Sequence, residues 1–435
     1  MRVTMTVAVA TLAALAFSLP ASSSADRTVT VSPGESIQAA IDAAKPGTTI
    51  KIAPGTYHES LVIKTDGIEL VGAGRKLTKI VPPDPLVEGQ GCVFSEQRQP
   101  PPAPPVIVAS GICVANVDDQ FNIVKTVEDV EIRNLTVTGF NEFGILFFGA
   151  EDGVVNRVIA SDNAEYGVFA NTSSGTTVAR SVFGNNGEAG IYIGDSPNAD
   201  ATVWKNVSYD NVNGIFVRDA AHGKVIGNKS FGNCVGILVL NTDETAQQPP
   251  APAIDAKDWT LKHNNVTANN KACAGGGEEG GPPTSGTGIA VLGGIDIDVI
   301  DNGVFGNVPD PSISSPFSGG IVVGENSKGT RVASNNAIGN RPFDLVFDGT
   351  GEDNKFVAND CLTSQPDGLC VDVVGDDEGD DNGDADHGNN GDHHGRNGDH
   401  GDEDGHGGHH KGDQGTKHAK ESKKHEKHHR VVHDD

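Results

Sequence analysis

Residues 190–217 read GIYIGDSPNADATVWKNVSYDNVNGIFV. At each end a Gly followed by Ile opens a short alternating apolar run, Ile191-Tyr192-Ile193 and Ile215-Phe216-Val217, and a second β-type run, Ala201-Thr202-Val203-Trp204, lies between them. Neither run is long enough for a helix, and β-branched residues recur in both, so they read as strands. The same step appears at Gly144-Ile145, Gly167-Val168, Gly190-Ile191, Gly214-Ile215, Gly236-Ile237, Gly288-Ile289 and Gly320-Ile321, with a degenerate copy at Asp344-Leu345. The intervals are 23, 23, 24, 22, 52, 32 and 24. A fixed period of this size marks a solenoid, each coil burying its apolar side only against its neighbours. Two or three short strands per period suit one turn of a right-handed parallel β-helix; the Leu-x-x-Leu-x-Leu signature of leucine-rich repeats is absent.

Upstream of the repeats, residues 27–74 read as strand, helix, strand, strand. Ile37, Ala40, Ile41 and Ala44 share one helical face, and Pro46-Gly47 stops the helix. A short amphipathic helix laid over the open end of a solenoid blocks edge-to-edge pairing. The stretch SIQAAIDAAKPGTTIKIAPGTYHESLVIKTDGIELVGAG (residues 36–74), followed by the Gly-Ile repeats, resembles the pectin-lyase-like right-handed β-helix superfamily over roughly residues 30–360. Within it, Gly55-Thr56-Tyr57-His58-Glu59 is similar to the Gly-x-Tyr-x-Glu element of pectin methylesterases and to the opening of bacterial β-helix repeat proteins of unassigned activity.

Insertions break the regular coils at 82–105, 242–258, 273–286 and 308–318. The last two fall on the same corner of successive coils and predict a wall beside one sheet. Without the insertions, the chain holds about a dozen coils, a solenoid roughly 55–60 Å long at about 4.8 Å per coil. Residues 1–25 read as a secretory signal: Arg2, then an apolar stretch from Val7 to Phe17, then Ser23-Ser24-Ala25. That stretch is too short to span a bilayer, and no later segment qualifies. The expected organisation is a signal peptide at 1–25, the β-helix at 26–374, and a disordered Asp/Gly/His/Lys-rich tail at 375–435 that cannot bury a core. Such a chain is expected to be a monomer, secreted or extracellular, or else periplasmic or cell-wall associated.

Six cysteines in an exported chain pair. Cys234 and Cys273 lie at matching corners of adjacent coils, close enough for a bridge. Cys361 and Cys370 close a local loop, and Cys92 and Cys113 staple the first Pro-rich insertion. A formal net charge of -27 argues against nucleic acid as a partner, because phosphate needs a basic surface.

Asn recurs just ahead of the Gly-Ile step, at Asn163, Asn186, Asn211, Asn233, Asn307 and Asn340. Such residues hold turns and stack as an internal ladder in preference to binding sugar hydroxyls. Asn171, Asp195, Asp219 and Asn241 come after the strand in the same way, so Asp219 aligns with turn acids, whereas Arg218 and His222 are additional to the pattern. Asn-x-Ser/Thr sequons stand at Asn134, Asn206, Asn228 and Asn265.

The catalytic motifs of the superfamily do not carry over. Asn241-Thr242-Asp243 is similar to the Asn-Thr-Asp element of polygalacturonases, but the Asp pair Asp118-Asp119 and His222-Gly223 lie upstream of it, and Arg-x-Lys is missing. The Arg-Pro-Trp of pectin methylesterases has only Arg341-Pro342-Phe343 in its place, and the Asp-Pro-His of alginate epimerases is absent. Lyases of this fold hold calcium on clustered Asp and use Arg or Lys as base, which leaves Arg218, Asp219, His222 and Asp243 as catalytic candidates and Asp258 as a substrate-binding one. Calcium in the solenoid would draw on such acids and on Asp118, Asp119, Glu151, Asp152 and Asp255. In the tail, imidazoles including His393, His394, His409, His410, His428 and His429 suit zinc, nickel or copper.

The expected function is an exported β-helix protein that binds or processes a polysaccharide or cell-wall glycan, since long parallel sheets let a linear polymer track successive coils. The alternative is a non-enzymatic surface or metal-handling protein, similar to periplasmic copper-enzyme maturation factors.

Overall fold

A computed structural model describes residues 27–98, 102–242, 254–275 and 281–371, all within the first of the chain's two units, Met1–Val374. The signal segment, the His-rich tail and Asp243 lie outside the described residues.

Each coil carries three short strands, one in each of three parallel sheets. In one coil, Val154–Asn156 lies in sheet A, Ile159–Ser161 in sheet B and Val168–Asn171 in sheet C. Among the described residues sheet B has 11 strands, whereas sheets A and C form one hydrogen-bonded array of 22, because Asn213–Ile226 runs through the C-to-A corner and pairs in both. The Gly-Ile steps open the strands of sheet C in strict register: Ile145, Val168, Ile191, Ile215, Ile237, Ile289, Ile321 and Leu345 are successive partners. Their side chains fill the bore together with Val and Ile from the other two sheets.

The glycine of the step is there because something occupies the place of its Cβ. A Cβ on Gly214 would sit 2.4 Å from the Gly236 carbonyl oxygen, 2.1 Å from Ser230 Oγ and 2.9 Å from Asn233 Nδ2. That amide belongs to a buried ladder at the B-to-C corner. Asn163, Asn186, Asn211, Asn233, Asn269, Asn307 and Asn340 each donate Nδ2–H to Oδ1 of the next, at 2.8–3.1 Å, and the row ends on Asp344. The last rung needs only to accept, so a carboxylate serves there. Its oxygens take Asn340 on one side and Leu362 and Thr363 on the other. A second ladder, Asn206, Asn228, Asn264, Asn302, Asn335 and Asn359, lines the A-to-B corner at 3.0–3.1 Å. The sequons at Asn206 and Asn228 are therefore inside the molecule, each 1% exposed. At both corners, the residue before each ladder Asn commonly takes positive φ, as Asp210 (57°) and Lys205 (54°) do.

The N-terminal end is closed by α1, Ile37–Ala43. Ile37 and Ile41 are buried, and Ala40 and Ala44 pack on the same core. Glu59 caps the helix, accepting from the Ile37 and Gln38 N–H groups at 2.8 and 3.0 Å and from Ser36 Oγ at 2.8 Å. The Gln38 amide bonds both the N–H and the carbonyl of Val62 on the first strand of sheet C, standing in for a missing neighbour strand. The Gly-x-Tyr-x-Glu element is thus part of the cap.

The six cysteines form three disulfides, Cys92–Cys113, Cys234–Cys273 and Cys361–Cys370, with Cα separations of 5.9, 6.0 and 5.2 Å. The first ties the antiparallel hairpin of Val93–Glu96 and Val106–Ala109 to sheet C. The second fixes the base of the 273–286 insertion, where Cys273 and Thr284 exchange both backbone bonds at 3.0 Å.

Three insertions, at 82–105, 273–286 and 308–318, leave the coil between sheet B and sheet C. The loop at 115–126 and the insertion at 242–258 leave it between sheet C and sheet A. Sheet C is thereby the sheet whose outer face has extra chain along both edges.

Candidate functional site

In a strand, alternate residues face opposite ways, so the residue after each Ile of the step points out of sheet C. That row reads Leu146, Phe169, Tyr192, Phe216, Leu238, Ala290, Val322 and Val346 in register. A sheet face meant for water alone would be polar. Here Phe143 stacks on Phe169 and Phe169 on Tyr192, with centroids 4.8 and 4.5 Å apart, and Tyr192 meets Phe216 edge-on at 5.3 Å. Tyr192 and Phe216 are buried, whereas Phe143, Leu146, Phe148 and Phe169 are half-open.

These half-open residues floor a groove of about 1030 Å³ whose other side carries Phe94 and Phe121, with Asp118 and Asp119 also lining it. The Asp118 carboxyl is held below its usual range by Asn122, through its side chain and backbone, and by the Gln120 N–H. Farther along the same face lie cavities of about 440 Å³, walled by residues 273–275 and 281–284, and about 690 Å³, walled by 309–318.

Between the aromatic stretch and the second cavity runs a row of acids that the repeat pattern alone does not single out. Glu142, Glu165 and Glu188 stand two residues ahead of three consecutive Gly-Ile steps, as NEFGI, AEYGV and GEAGI. Their signal is the shared Glu-x-Gly at intervals of 23, masked by the more prominent apolar run on the other side of each glycine. Glu142 and Glu165 are nearly inaccessible, and Arg98 from the first insertion reaches both, at 2.5 and 2.8 Å, and Glu96 at 2.6 Å. Carboxylates taken out of water need such a counter-charge.

The second cavity is lined by Glu188, Arg218, Lys271 and Glu325 over an apolar floor that includes Phe216, Leu238 and Leu292. Arg218 leaves sheet C on the outer face, with Nε 3.3 Å from the Asp219 carboxylate. Asp219 is fully buried with φ 46°, a turn acid, and its oxygens accept the Thr242 N–H at 2.7 Å and hydroxyl at 2.5 Å. Burial pushes its pKa up, against the pull of Thr242 and Arg218. Lys271 Nζ donates to the Asp210 carbonyl at 2.7 Å; burial around the amine lowers its pKa, with the Asp210 carboxylate opposing.

The structure therefore brings Arg218 and Asp219 together and adds Lys271, which nothing in the repeat marks out. It places His222 elsewhere: His222 has φ 64° at the C-to-A corner and pairs with Asp258 at 3.3 Å, and neither lines the cavity. Asn241, whose Oδ1 accepts the Ala256 N–H at 2.8 Å, and Thr242 serve the loop and the turn. Among the described residues no group of three or more His, Cys, Asp or Glu is arranged to hold a metal ion, and no helix is long and apolar enough to cross a membrane.

A family model described as "Right handed beta helix region" matches residues 106–248. Together with the three-sheet coil, it marks the fold as a right-handed parallel β-helix. Among solved structures, the chain is similar to the A-module of the Azotobacter vinelandii mannuronan C-5 epimerase AlgE4, at 19% identity over 76% of this chain and 91% of that one, with a TM-score of 0.49. It is similar to the periplasmic alginate epimerase AlgG (15% identity, 76% and 83% covered, TM-score 0.38) and to pectate lyase Pel9A (14%, 77% and 79%, 0.41). No curated protein sequence matches.

Proposed function

We propose that this protein is exported and binds a linear acidic polysaccharide along the outer face of sheet C. The observation that supports the reading most strongly is the apolar, aromatic floor of that face, half-open over two adjacent coils and flanked by extra chain on both edges. Flat aromatic side chains offer the C–H faces of sugar rings a matching surface, while groups at the edges select by charge. A polymer lying across the strands meets an equivalent position about every 4.8 Å. Arg218 and Lys271, which line one cavity, form the subsite for a carboxylated sugar. Arg218 neutralises the carboxylate, and an amine with a lowered pKa is suited to accept the neighbouring proton, so the same pocket has the composition for β-elimination. The three disulfides agree with a location outside a reducing cytosol.

The test is affinity electrophoresis through gels containing polygalacturonate, alginate or neutral dextran, for the wild type, Phe169→Ala and Arg218→Ala, with ultraviolet absorbance of unsaturated ends read on the same mixtures. Retardation by an acidic glycan, weakened by both substitutions, is expected. A wild type that migrates unretarded through every acidic glycan defeats the proposal.

A further inference from the structure

The corner between sheets A and B lies away from the groove and carries a feature at odds with an acidic chain of net charge -27. Three successive coils place a cation at the positive-φ position of that corner: Arg157 (φ 54°), Arg180 (φ 51°) and Lys205 (φ 54°). The three are stacked by backbone bonds, Arg157 N–H to the Ala179 carbonyl and Arg180 N–H to the Trp204 carbonyl. This backbone region favours Gly and Asn, and other coils hold the position with Asn134, Gly227, His263, Asp301, Ser334 and Ala358, so only these three successive coils fill it with long cationic side chains. A long cationic side chain there adds backbone strain, and neighbours about 4.8 Å apart repel one another.

Among the described residues none of the three is in a salt bridge. All three are exposed. Two are held in place by an aromatic side chain instead, since the Arg180 guanidinium and the Lys205 amine lie 4.3 and 4.5 Å from the centroid of the Trp204 ring. Arg75 extends the stripe, its guanidinium donating to the Arg180 carbonyl at 3.4 Å. Cations that are strained, unpaired and pre-positioned on an indole are what a surface for an external anion needs.

We infer that this corner is a second binding surface, for a linear polyanion, and that its occupant is a sulfate- or phosphate-bearing glycan of the cell surface. A repeating polymer fits a row of cations repeated coil by coil, and the disulfides agree with a location outside a reducing cytosol, where such glycans are found. The formal net charge of -27 disfavours a longer nucleic acid contact.

Fluorescein-labelled heparin is the probe, titrated by anisotropy at low ionic strength and again at physiological salt, using the full chain. The test variant is Arg157→Asn/Arg180→Asn/Lys205→Asn, because Asn suits the backbone and removes only the charge. The charge-matched control is Lys45→Asn/Lys328→Asn/Lys355→Asn, three exposed lysines elsewhere. Heparin affinity is expected to fall about tenfold or more in the test variant and to stay within about twofold in the control. The test variant's melting temperature is expected to be unchanged or higher. Heparin is also an acidic polysaccharide of the kind the groove is proposed to take, so the titrations are repeated in a Phe169→Ala/Arg218→Ala background, where the loss caused by the three Asn substitutions is expected to remain about tenfold; failure of one surface is then distinguishable from failure of the other. The inference is overturned if wild type does not bind heparin, if both triple variants weaken equally, if the test variant melts lower, or if a DNA oligomer of equal charge binds as tightly.

Discussion

Replacing Asn233 with Ala removes one rung from the middle of the B-to-C ladder. Its Oδ1 accepts the Asn211 backbone N–H at 2.9 Å and Asn211 Nδ2 at 3.1 Å, and its own Nδ2 donates to Asn269 Oδ1 at 2.8 Å. All three residues are fully buried. Without the side chain, Asn211 Nδ2 keeps Ser208 Oγ at 3.0 Å, and Asn269 Oδ1 keeps the Asn233 backbone N–H at 3.2 Å. The Asn211 N–H keeps nothing. One orphaned buried donor costs about 1–3 kcal/mol, and the lost inter-rung bond about 1 kcal/mol more. The emptied space adds to this, for a total of about 3–5 kcal/mol. Urea denaturation with disulfides intact, followed by far-ultraviolet circular dichroism and the fluorescence of Trp204 and Trp259, measures the change. Asn336→Ala, an exposed strand Asn, is the control and should stay within about 0.5 kcal/mol. A loss below about 1 kcal/mol for Asn233→Ala would refute the reasoning, since water would then be replacing the rung freely.

Gly214→Ala should destabilise by about 1–3 kcal/mol in the same assay, because its Cβ would overlap the next coil's backbone, while Gly281→Ala, with open space around it, should be neutral. The raised pKa of Asp219 means that the folded state binds its proton more tightly than the unfolded chain, so this group's contribution to stability declines as pH rises from about 3.8 through the folded pKa. Asp219→Asn should therefore gain on wild type as melting temperatures are compared up the pH scale, and a difference independent of pH would contradict this. Arg98→Ala removes the guanidinium shared by Glu142 and Glu165 and should lower the melting temperature at pH 7, read by circular dichroism.

The fold is legible because the constraint that makes it is local and repeated: each glycine marks the close approach of the next coil, and the ladder Asn sits a few residues ahead of it. An earlier such step, Gly111-Ile112, pairs with Ile145 but falls outside the period, because the 82–105 insertion separates it from Leu61 before it and the 115–126 loop separates it from Gly144 after it. The ladder at the A-to-B corner is hidden because Asn206, Asn228 and Asn264 look like sequons or isolated turn residues, and only the stacking of coils shows them to be one row. The position of a loop relative to a sheet is inferable for 273–286 and 308–318, whereas the shared corner with 82–105 requires the strand order. Candidate site residues are the least legible. Arg218 and Asp219 are adjacent in sequence and in space, but Lys271 enters their cavity from the turn just before the 273–286 insertion, at a distance along the chain that no spacing rule reports.

The claim that a glycan lies along sheet C is tested most directly by hydroxyl-radical footprinting of the full chain with and without polygalacturonate. Phe143, Phe148 and Phe169 on the groove floor should lose reactivity when the glycan is bound, while Phe305 on sheet B and Leu362 near the last coil keep theirs. Unchanged reactivity on the groove floor, or equal protection of Phe305 and Leu362, would contradict the account.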